Sequence, residues 1–375
     1  ASELKSLAEL PNFPTTISRD ALLRYLALGY VPDPLSIFPG IRKLEPGHRL
    51  AWTAGETTES TYWRPTRRPI HDITEAEAVT ELRRQLEDAV SCHLESEVPL
   101  GAFLSGGVDS STVVAQMARL MSRPVKTFAI GFDSETHNEA PDARRVAEAL
   151  NTEHTELIVL PEADGLIDEL LLGFDEPFAD SSALPTFLVS QLARQHVTVS
   201  LSGDGGDELF AGYSRYDAAL KVPQPGAFAQ AVAHGVASRL PFGAYGRNYL
   251  LNVARTRRGQ YASTVALPLP VDEGGVVRAD VMQRELSLDA LMGAWFESAG
   301  GADFPAQMMQ VDMQSYLPGD ILTKVDRMSM RVSLEARVPL LDHHFVEFAL
   351  SLPSRFKLRD GTGKWIFRKA IEGLV

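Results

Sequence analysis

The sequence has 375 residues, which is enough for a large buried core and, at usual domain sizes, for two or three domains. Asp and Glu number 49 against 36 Lys and Arg, and the formal net charge of -13 disfavours nucleic acid as the main partner. The single cysteine, Cys92, excludes an intrachain disulfide framework, and the scattered histidines show no metal-binding spacing. No apolar run approaches the roughly 20 residues needed to span a bilayer. We therefore expect a cytoplasmic protein with no nucleic-acid or membrane partner.

The first 66 residues differ in residue pattern from the rest of the chain. They are rich in turn-forming Pro and Gly, which favour short strands and irregular structure, although residues 20–29 predict one helix. Thr74 and Glu77 then form a capping box before apolar residues at helical spacing, which predicts a second helix. We expect one domain in residues 1–66 and another in residues 67–375, and both chain ends are typical of cuts through a longer protein.

Between residues 98 and 202, short apolar runs alternate with helical patterns. The predicted strands are residues 98–104, 125–131, 155–160 and 197–202, and the helices between them lie near residues 113–121, 139–150 and 183–195. Strands of about six residues alternating with longer helices are typical of parallel βαβ units. We therefore predict an α/β fold with an open, doubly wound, mostly parallel sheet. Residues 215–310 have weak helical periodicity and residues 311–350 look helical, which predicts a helical C-terminal part.

A glycine- and serine-rich turn follows the first of these strands. It reads Ser-Gly-Gly-Val-Asp-Ser-Ser over residues 105–111 and precedes a predicted helix. Glycines let backbone amides approach an anion, and the start of the helix adds free N–H groups with a favourable dipole. The loop therefore suits phosphate oxygens, although it lacks the Gly-Lys-Ser/Thr ending of a Walker loop. The alternative is a capped strand-to-helix turn with no ligand.

The last of these strands leads into a second polar loop, Ser-Gly-Asp-Gly-Gly-Asp-Glu over residues 202–208. Three carboxylates within five residues repel one another, and a cation would relieve that repulsion. Mg²⁺ favours one or two carboxylates plus phosphate oxygens, so we predict that Asp207 faces Asp109 across the sheet edge and that both bind the ion. The alternatives are a solvated acidic turn and an incidental calcium site.

The first loop is the signature of the ATP pyrophosphatases, and the two loops together resemble the synthetase domain of glutamine-dependent asparagine synthetases and of the related β-lactam synthetases. The likeness covers nearly the whole chain. Further matching positions are residues 175–178, Ser181, and residues 184–186, 324–329 and 334–342. Residues 1–7 and 29–48 resemble the end of the family's glutaminase domain. The resemblance implies a fold of the ATP pyrophosphatase type, preceded by a remnant of a glutaminase domain.

Carried over to the matching positions, the resemblance implies a role for each site residue. The ATP phosphates would be held by Ser105, Gly106, Gly107, Asp109, Ser110 and Ser111, the adenosine by Leu104, Ile130, Ser202 and Gly203, and Mg²⁺ by Asp109 and Asp207. Asp204 stands where asparagine synthetases usually have Glu, in a position tied to formation of the aspartyl-adenylate. Lys324 and Arg327 would neutralise charge during the reaction, the alternative being a salt-bridged helix face. Arg337 is expected to be structural.

The reaction implied by the resemblance is AMP-forming amide synthesis. A carboxylate, that of aspartate above all, attacks the α-phosphate of ATP and releases pyrophosphate, and ammonia then displaces AMP. The likeness also allows a homodimer. Two alternatives stay open: a β-lactam-synthetase-like or other carboxylate-adenylating enzyme, and a nucleotide-binding module without catalysis.

Two departures from the family pattern bear on activity. The cysteine nucleophile of the glutaminase is absent, and Cys92 cannot replace it from inside a helix, so ammonia is expected to come from solution. The family also carries a lysine that acts on the transition state beyond the stretch matching Gly363-Lys364-Trp365, and Lys364 is not its counterpart. The chain is therefore expected to bind ATP and to turn over poorly.

Overall fold

The computed structural model describes residues 2–132, 138–159, 170, 172–241, 243–267 and 288–374. The chain divides into two compact units. Unit 1 consists of Ala1–Arg64, Glu176–Ala179 and Tyr213–Ser315, and unit 2 consists of Pro65–Asp175, Asp180–Gly212 and Tyr316–Val375. Within the described part of the chain, every helix is too short or too polar to cross a bilayer.

Helices occur in both units. In chain order they are α1 (Arg19–Leu28), α2 (Glu75–His93), α3 (Val108–Leu120), α4 (Ala140–Ala149), α5 (Ala183–Arg194), α6 (Gly206–Phe210), α7 (Ser214–Lys221), α8 (Ala227–Ala237), α9 (Arg247–Val253), α10 (Arg257–Val265), α11 (Leu288–Ser298), α12 (Phe304–Gln314), α13 (Thr323–Arg331), α14 (His343–Ser351), α15 (Ser354–Lys357) and α16 (Trp365–Ile371). The strands are β1 (His48–Thr53), β2 (Glu56–Thr61), β3 (Leu100–Phe103), β4 (Lys126–Phe132), β5 (Glu153–Val159), β6 (Val199–Leu201) and β7 (Glu335–Arg337). Short 3-10 turns lie at Leu4–Ser6 and Pro339–Leu341, and a π-helical segment lies at Leu317–Leu322.

Unit 2 is built on a parallel sheet with the strand order β5-β4-β3-β6-β7. The register pairs Ala102 of β3 with Thr127 of β4 on one side and with Leu201 of β6 on the other. The chain runs outward from β3 to β5 and then returns to the other side of β3, so the strand order reverses between β3 and β6. Such a reversal opens a crevice beyond the carboxyl ends of the two strands. The predicted open, parallel α/β sheet is confirmed.

The four predicted strands coincide with β3, β4, β5 and β6 to within a few residues. The prediction for residues 311–350 is wrong at one point, because these residues contain β7 as well as helices. β7 pairs in parallel with β6, with Ala336 opposite Ser200. A strand of three residues is too short to show a period, and its partner lies far away in the sequence.

α2 shows how the sequence sets both ends of a helix. The Thr74 hydroxyl accepts a hydrogen bond from Glu77 N at 3.3 Å, and the Glu77 carboxylate accepts one from Thr74 N at 2.9 Å. The predicted capping box is therefore confirmed, and such a cap stabilises a helix by about 1 kcal/mol. At the other end, Arg337 Nη1 donates to the carbonyl oxygens of His93 and Glu95, each at 2.8 Å. Arg337 thus satisfies carbonyl groups at the end of the helix, which agrees with its expected structural role.

Unit 1 begins with a helix and a two-stranded hairpin. α1 is capped by the hydroxyl of Ser18 and is followed by Gly29, whose φ of 87° lies in the left-handed region. β1 and β2 pair antiparallel through a two-residue turn, Ala54-Gly55, in which both residues have positive φ. Positive φ at both positions matches the right-handed twist of the paired strands. The helix predicted for residues 20–29 and the short strands after it are confirmed.

Three of the later helices of unit 1 meet at a buried carboxylate, Asp312 of α12. Its Oδ2 accepts hydrogen bonds from Arg215 Nη2 at 2.7 Å, from Tyr216 OH at 2.6 Å and from Tyr261 OH at 2.6 Å. The guanidinium of Arg215 also lies 3.9 Å from the ring centroid of Tyr213. One carboxylate therefore links α7, α10 and α12, and a guanidinium balances its charge.

Asp312→Ala is expected to lower the free energy of unfolding by about 3–5 kcal/mol, because it removes the shared acceptor of a largely buried guanidinium and two phenol hydroxyls. Urea unfolding measures the loss, and hydrogen exchange is expected to locate it in residues 213–315. Asp217→Ala is the control, since Asp217 pairs with Lys221 along one helix and such pairs contribute less than about 1 kcal/mol. Equal losses in the two variants would contradict the anchoring role of Asp312.

Candidate active site

Two polar loops leave the sheet of unit 2 at the carboxyl ends of the adjacent strands β3 and β6. They approach each other so closely that two positions in the second loop require glycine. A Cβ on Gly203 would lie 2.6 Å from Ser110 N, and a Cβ on Gly206 would lie 2.5 Å from Asp109 Cγ. Both distances are below the 3.0 Å that real Cβ contacts respect. A larger residue at either position would push the loops apart.

The first loop closes on itself through its hydroxyl groups. The Oγ atoms of Ser105 and Ser110 lie 2.9 Å apart, and Ser105 Oγ accepts a hydrogen bond from Gly107 N at 3.2 Å. Gly106 has a φ of 76°, which favours glycine, and it packs against the backbone of α4. α3 begins directly after this turn, and its first residue is preceded by Gly107, which has no side chain to cap the helix. The first N–H groups of α3 are therefore suited to bind an anion.

Two buried oxygen atoms of this loop, Asp109 Oδ1 and Ser111 Oγ, make no hydrogen bond to any described residue. Buried polar atoms in folded proteins are nearly always paired, so these two atoms are available as acceptors for a ligand or water. Leu104 and Ile130, both expected to line the adenosine site, lie in and beside the neighbouring strands. Ile130 exposes part of its side chain, whereas the side chain of Leu104 is buried.

Asp109 and Asp207, one from each loop, both contact the ammonium group of Lys364. Lys364 Nζ lies 2.5 Å from Asp109 Oδ2 and 2.7 Å from Asp207 Oδ1, and the lysine side chain is only 11% exposed. Burial raises the pKa of Asp109 to about 6, with the charge of Lys364 opposing the rise and that of Asp207 adding to it. Burial also disfavours the charged form of Lys364, but the two carboxylates outweigh this effect and raise the pKa of Lys364. The structure thus brings the two aspartates together with an ammonium group between them.

Lys364 reaches this position because the start of α16 packs tightly against α6. Lys364 N donates a hydrogen bond to Phe210 O at 2.7 Å, and the rings of Phe210 and Phe367 stack with their centroids 4.7 Å apart. Gly363 lies directly on the carbonyl group of Ala211, with no room for a Cβ. Lys364 itself has a left-handed backbone with a φ of 58°, a conformation that costs a non-glycine residue about 1–2 kcal/mol.

Sequence reasoning did not identify Lys364 as a site residue. The match of residues 363–365 to the family was the one available signal, and no spacing rule links these residues to the two loops. The connection depends on the packing of α16 on α6, which the sequence pattern does not reveal.

Asp204, expected to be catalytic, is turned back onto its own loop. Its Oδ2 accepts a hydrogen bond from Ser202 Oγ at 2.5 Å. Burial raises the pKa of Asp204, and the Ser202 hydrogen bond and the charge of Lys324 oppose the rise. Because Asp is one methylene shorter than Glu, the carboxylate stays within reach of the hydroxyl two residues earlier.

Lys324 and Arg327 of α13, both expected to neutralise charge, form ion pairs with other segments of unit 2. Lys324 Nζ lies 2.5 Å from Asp180 Oδ2 and donates to Ser182 Oγ at 2.7 Å. Arg327 Nη2 lies 3.3 Å from Asp175 Oδ2. Lys324 Nζ also lies 3.9 Å from Asp320 Oδ1, one turn earlier in the chain, so a pair along the helical stretch accompanies its closer contact with Asp180. No sequence motif indicated Asp180 or Ser182 as neighbours of the site.

Asp180→Asn is expected to lower the free energy of unfolding by about 2 kcal/mol at pH 7. Burial alone would raise the pKa of Asp180, but the hydrogen bond and charge of Lys324 outweigh it and lower the pKa to about 2. The stability from this lowered pKa is fully present above the unfolded value of about 3.9 and is lost as the pH falls towards 2.

Urea unfolding at pH 7 and at several lower pH values measures this effect, and the difference between wild type and variant should shrink between about pH 4 and pH 2. Asp88→Asn is the matched control, because the Asp88 side chain is 60% exposed and pairs with Arg84 on the surface. A difference that does not change with pH would rule out the ion pair as its cause.

Comparisons with known proteins match two families to successive parts of the chain. A family model described as asparagine synthase matches residues 81–375, and one described as a glutamine amidotransferase domain matches residues 1–63. The first match contains both loops, Lys324 and Lys364.

Several curated relatives are similar over almost the whole chain. Asparagine synthetase (glutamine-hydrolyzing) 1 of Bacillus subtilis is 33% identical over 384 residues, which covers 100% of this chain and 59% of the relative. A putative asparagine synthetase (glutamine-hydrolyzing) of Mycobacterium bovis is 34% identical over 389 residues, with the same coverage of 100% and 59%. Amidase chyE of Penicillium rubens is 25% identical over 386 residues, covering 91% of this chain and 57% of the relative.

The chain thus spans 59% of the length of the first two of these relatives. The asparagine synthase model matches well over half of the chain, including every residue that builds the candidate site. The chain therefore belongs to the asparagine synthase family.

Proposed function

We propose that this chain carries ATP-dependent, AMP-forming amide synthesis, in which a carboxylate is adenylated by Mg-ATP and ammonia then displaces AMP. One observation carries the proposal: at the point where the strand order reverses, two loops place Asp109 and Asp207 around the ammonium of Lys364, beside the start of α3. The names of the relatives, asparagine synthetases, favour the side-chain carboxylate of aspartate as the substrate.

The first loop would bind the phosphates of ATP. Its backbone amides and the uncapped start of α3 offer N–H donors, and Ser105, Ser110 and Ser111 add hydroxyl groups. An anion at a helix N-terminus is stabilised by these donors and by the helix dipole. The adenosine would lie beside Leu104, Ile130, Ser202 and Gly203.

The donor set of Asp109 and Asp207 fits Mg²⁺. Both carboxylates reach one common point, the Nζ of Lys364, and Asp109 Oδ1 is buried without a hydrogen bond to a described residue. Mg²⁺ usually takes one or two carboxylates and completes its coordination with phosphate oxygens and water. When bound, the ion would neutralise charge on the departing pyrophosphate.

Besides binding Mg-ATP, the site must hold a negatively charged substrate carboxylate close to the negatively charged phosphates. Fixed positive charge is the main device for this purpose, since it costs no reorganisation when the reaction occurs. Lys324 is such a charge, because Asp180 and Ser182 hold its ammonium in place. The charge of Lys324 acts to lower the pKa of Asp204, and Asp204 would take part with Lys324 in adenylate formation. Arg327 would act through its pair with Asp175, keeping α13 in position.

We take free ammonia as the nitrogen donor in the proposed reaction. Cys92 lies within α2, as predicted, and we expect that it does not act as the glutaminase nucleophile. The homodimer, the cytoplasmic location and the absence of a nucleic-acid partner stay predictions.

The proposal is tested by ATP–pyrophosphate exchange with Mg²⁺, comparing aspartate with a panel of other carboxylates. Exchange that depends on aspartate would support the full proposal. Exchange with another carboxylate would keep the chemistry and change the substrate to one such as a β-lactam precursor. ATP binding without exchange would instead favour a nucleotide-binding module.

Asp109→Asn and Asp207→Asn are each expected to reduce the exchange rate by roughly 100-fold, because each removes a charged ligand that acts on the developing negative charge. The side chains keep their size, so circular dichroism and thermal unfolding should show a folded protein. Asp88→Asn, on the exposed surface of α2, is the control and should leave exchange unchanged. Normal exchange in either site variant would remove its carboxylate from the metal site.

Gly212→Ala is expected to weaken Mg-ATP binding by at least about tenfold, because its methyl group would overlap the Asp207 carboxylate and the Lys364 side chain. Isothermal titration with a non-hydrolysable ATP analogue and Mg²⁺ measures the effect. Gly293→Ala is the matched control, since no atom lies within 4 Å of the added methyl group. Unchanged affinity for Gly212→Ala would show that the site tolerates displacement of these two side chains.

A further inference from the structure

A buried ammonium group lies at the point where the two carboxylates of the proposed metal site converge. Lys364 Nζ is within 2.7 Å of an oxygen from each carboxylate. Its position is fixed by the backbone: residue 364 has a left-handed φ, its N–H is bonded to Phe210 O, and Gly363 is pressed onto Ala211. A non-glycine residue in a strained conformation is retained where the surrounding structure holds it there, and this occurs mostly at functional sites.

We propose that Lys364 is a tethered counter-ion that holds Asp109 and Asp207 together in the metal-free protein, and that a divalent cation binds this carboxylate pair by displacing it. The identity of the cation as the partner of ATP rests on the proposed function. The competition between the ammonium and a cation does not, because it follows from the geometry of the three side chains.

The two cations exclude each other for reasons of space and charge. A divalent ion such as Mg²⁺ that binds both carboxylates needs oxygen atoms at about 2.0–2.1 Å, and one oxygen atom of each carboxylate already contacts Lys364 Nζ. An ion bound only to the remaining Asp109 Oδ1 would lie within a few ångström of the ammonium, in a buried setting where like charges repel strongly. Displacement of the ammonium removes both conflicts.

Displacement needs a new partner for the ammonium, because a buried charge without one is costly. A polyphosphate supplies that partner, since it brings negative oxygen atoms into the site together with the cation. The backbone of Lys364 can stay in place while its flexible four-carbon stem turns. The metal alone is therefore expected to bind weakly, and the metal with polyphosphate to bind well, so that Lys364 couples the two ligands.

The first test uses Mn²⁺ alone, with binding measured by electron paramagnetic resonance on the full chain. Lys364→Met is expected to tighten Mn²⁺ binding by roughly tenfold. A neighbouring positive charge weakens proton binding to a carboxylate by about tenfold or more, and we expect at least the same effect on Mn²⁺. Added pyrophosphate should strengthen Mn²⁺ binding more in the wild type than in Lys364→Met. Asp109→Asn identifies the site, because it should abolish this binding.

Lys369→Met is the matched control. Lys369 lies on the same helix and pairs with Glu75 instead, so its removal should leave the affinity for Mn²⁺ unchanged. Equal or weaker Mn²⁺ binding in Lys364→Met, relative to the wild type, would overturn the proposal.

A second test needs no substitution and decides the matter if Lys364→Met does not fold. Acylation of lysine side chains in the wild type is mapped by mass spectrometry with and without Mn²⁺ and pyrophosphate. Mn²⁺ alone should raise the labelling of Lys364, because it frees the ammonium, while labelling of Lys369 stays constant. Labelling of Lys364 that Mn²⁺ leaves unchanged or lowers would overturn the proposal. A chain that shows the expected competition without ATP–pyrophosphate exchange would overturn the proposed function alone.

Discussion

The candidate site depends on how closely the backbones of two loops approach each other. Neighbouring strands such as β3 and β6 lie about 4.8 Å apart, so the loops that follow them start almost in contact. Three glycines, at positions 203, 206 and 212, remove the side chains that would otherwise separate the loops or displace their carboxylates. Asp109 and Asp207 can then share one ammonium group. Because the three glycines have no side chains, the charged groups of Asp109, Asp207 and Lys364 can lie in contact.

The two units use buried charge in different ways. In unit 1, Asp312 receives three hydrogen bonds at one oxygen and links three helices, which is a structural use of a carboxylate. In unit 2, the centre is an ammonium group shared by two carboxylates, and one oxygen of Asp109 has no hydrogen bond to a described residue. Each of the two carboxylates keeps one buried oxygen atom, Asp312 Oδ1 or Asp109 Oδ1, without a hydrogen bond to a described residue, so the clusters differ in what surrounds the other oxygen atom. Three donors converge on Asp312 Oδ2, whereas Asp109 Oδ2 contacts an ammonium group that it shares with Asp207.

Local patterns predicted the parts of this structure that depend on neighbouring residues. The capping box at Thr74, the strands β3 to β6 and the two polar loops are all visible as short motifs with a period or a turn signal. Features built by distant partners were not predictable in this way: β7 has only three residues, and Lys364 reaches the loops through ring packing on α6. Likewise, residues 213–315 belong to the same unit as residues 1–64, and no periodic pattern in the sequence indicates this.

The late position of Lys364 in the sequence has a consequence for synthesis of the chain. A ribosome produces Asp109 and Asp207 well before the lysine that balances them, and also before β7, which completes the edge of the sheet beside β6. Until α16 docks on α6, the carboxylates of the two loops lack this counter-ion, and a cation from solution is what would balance their charge. Docking of α16 on α6 therefore brings the balancing charge to both loops in a single event.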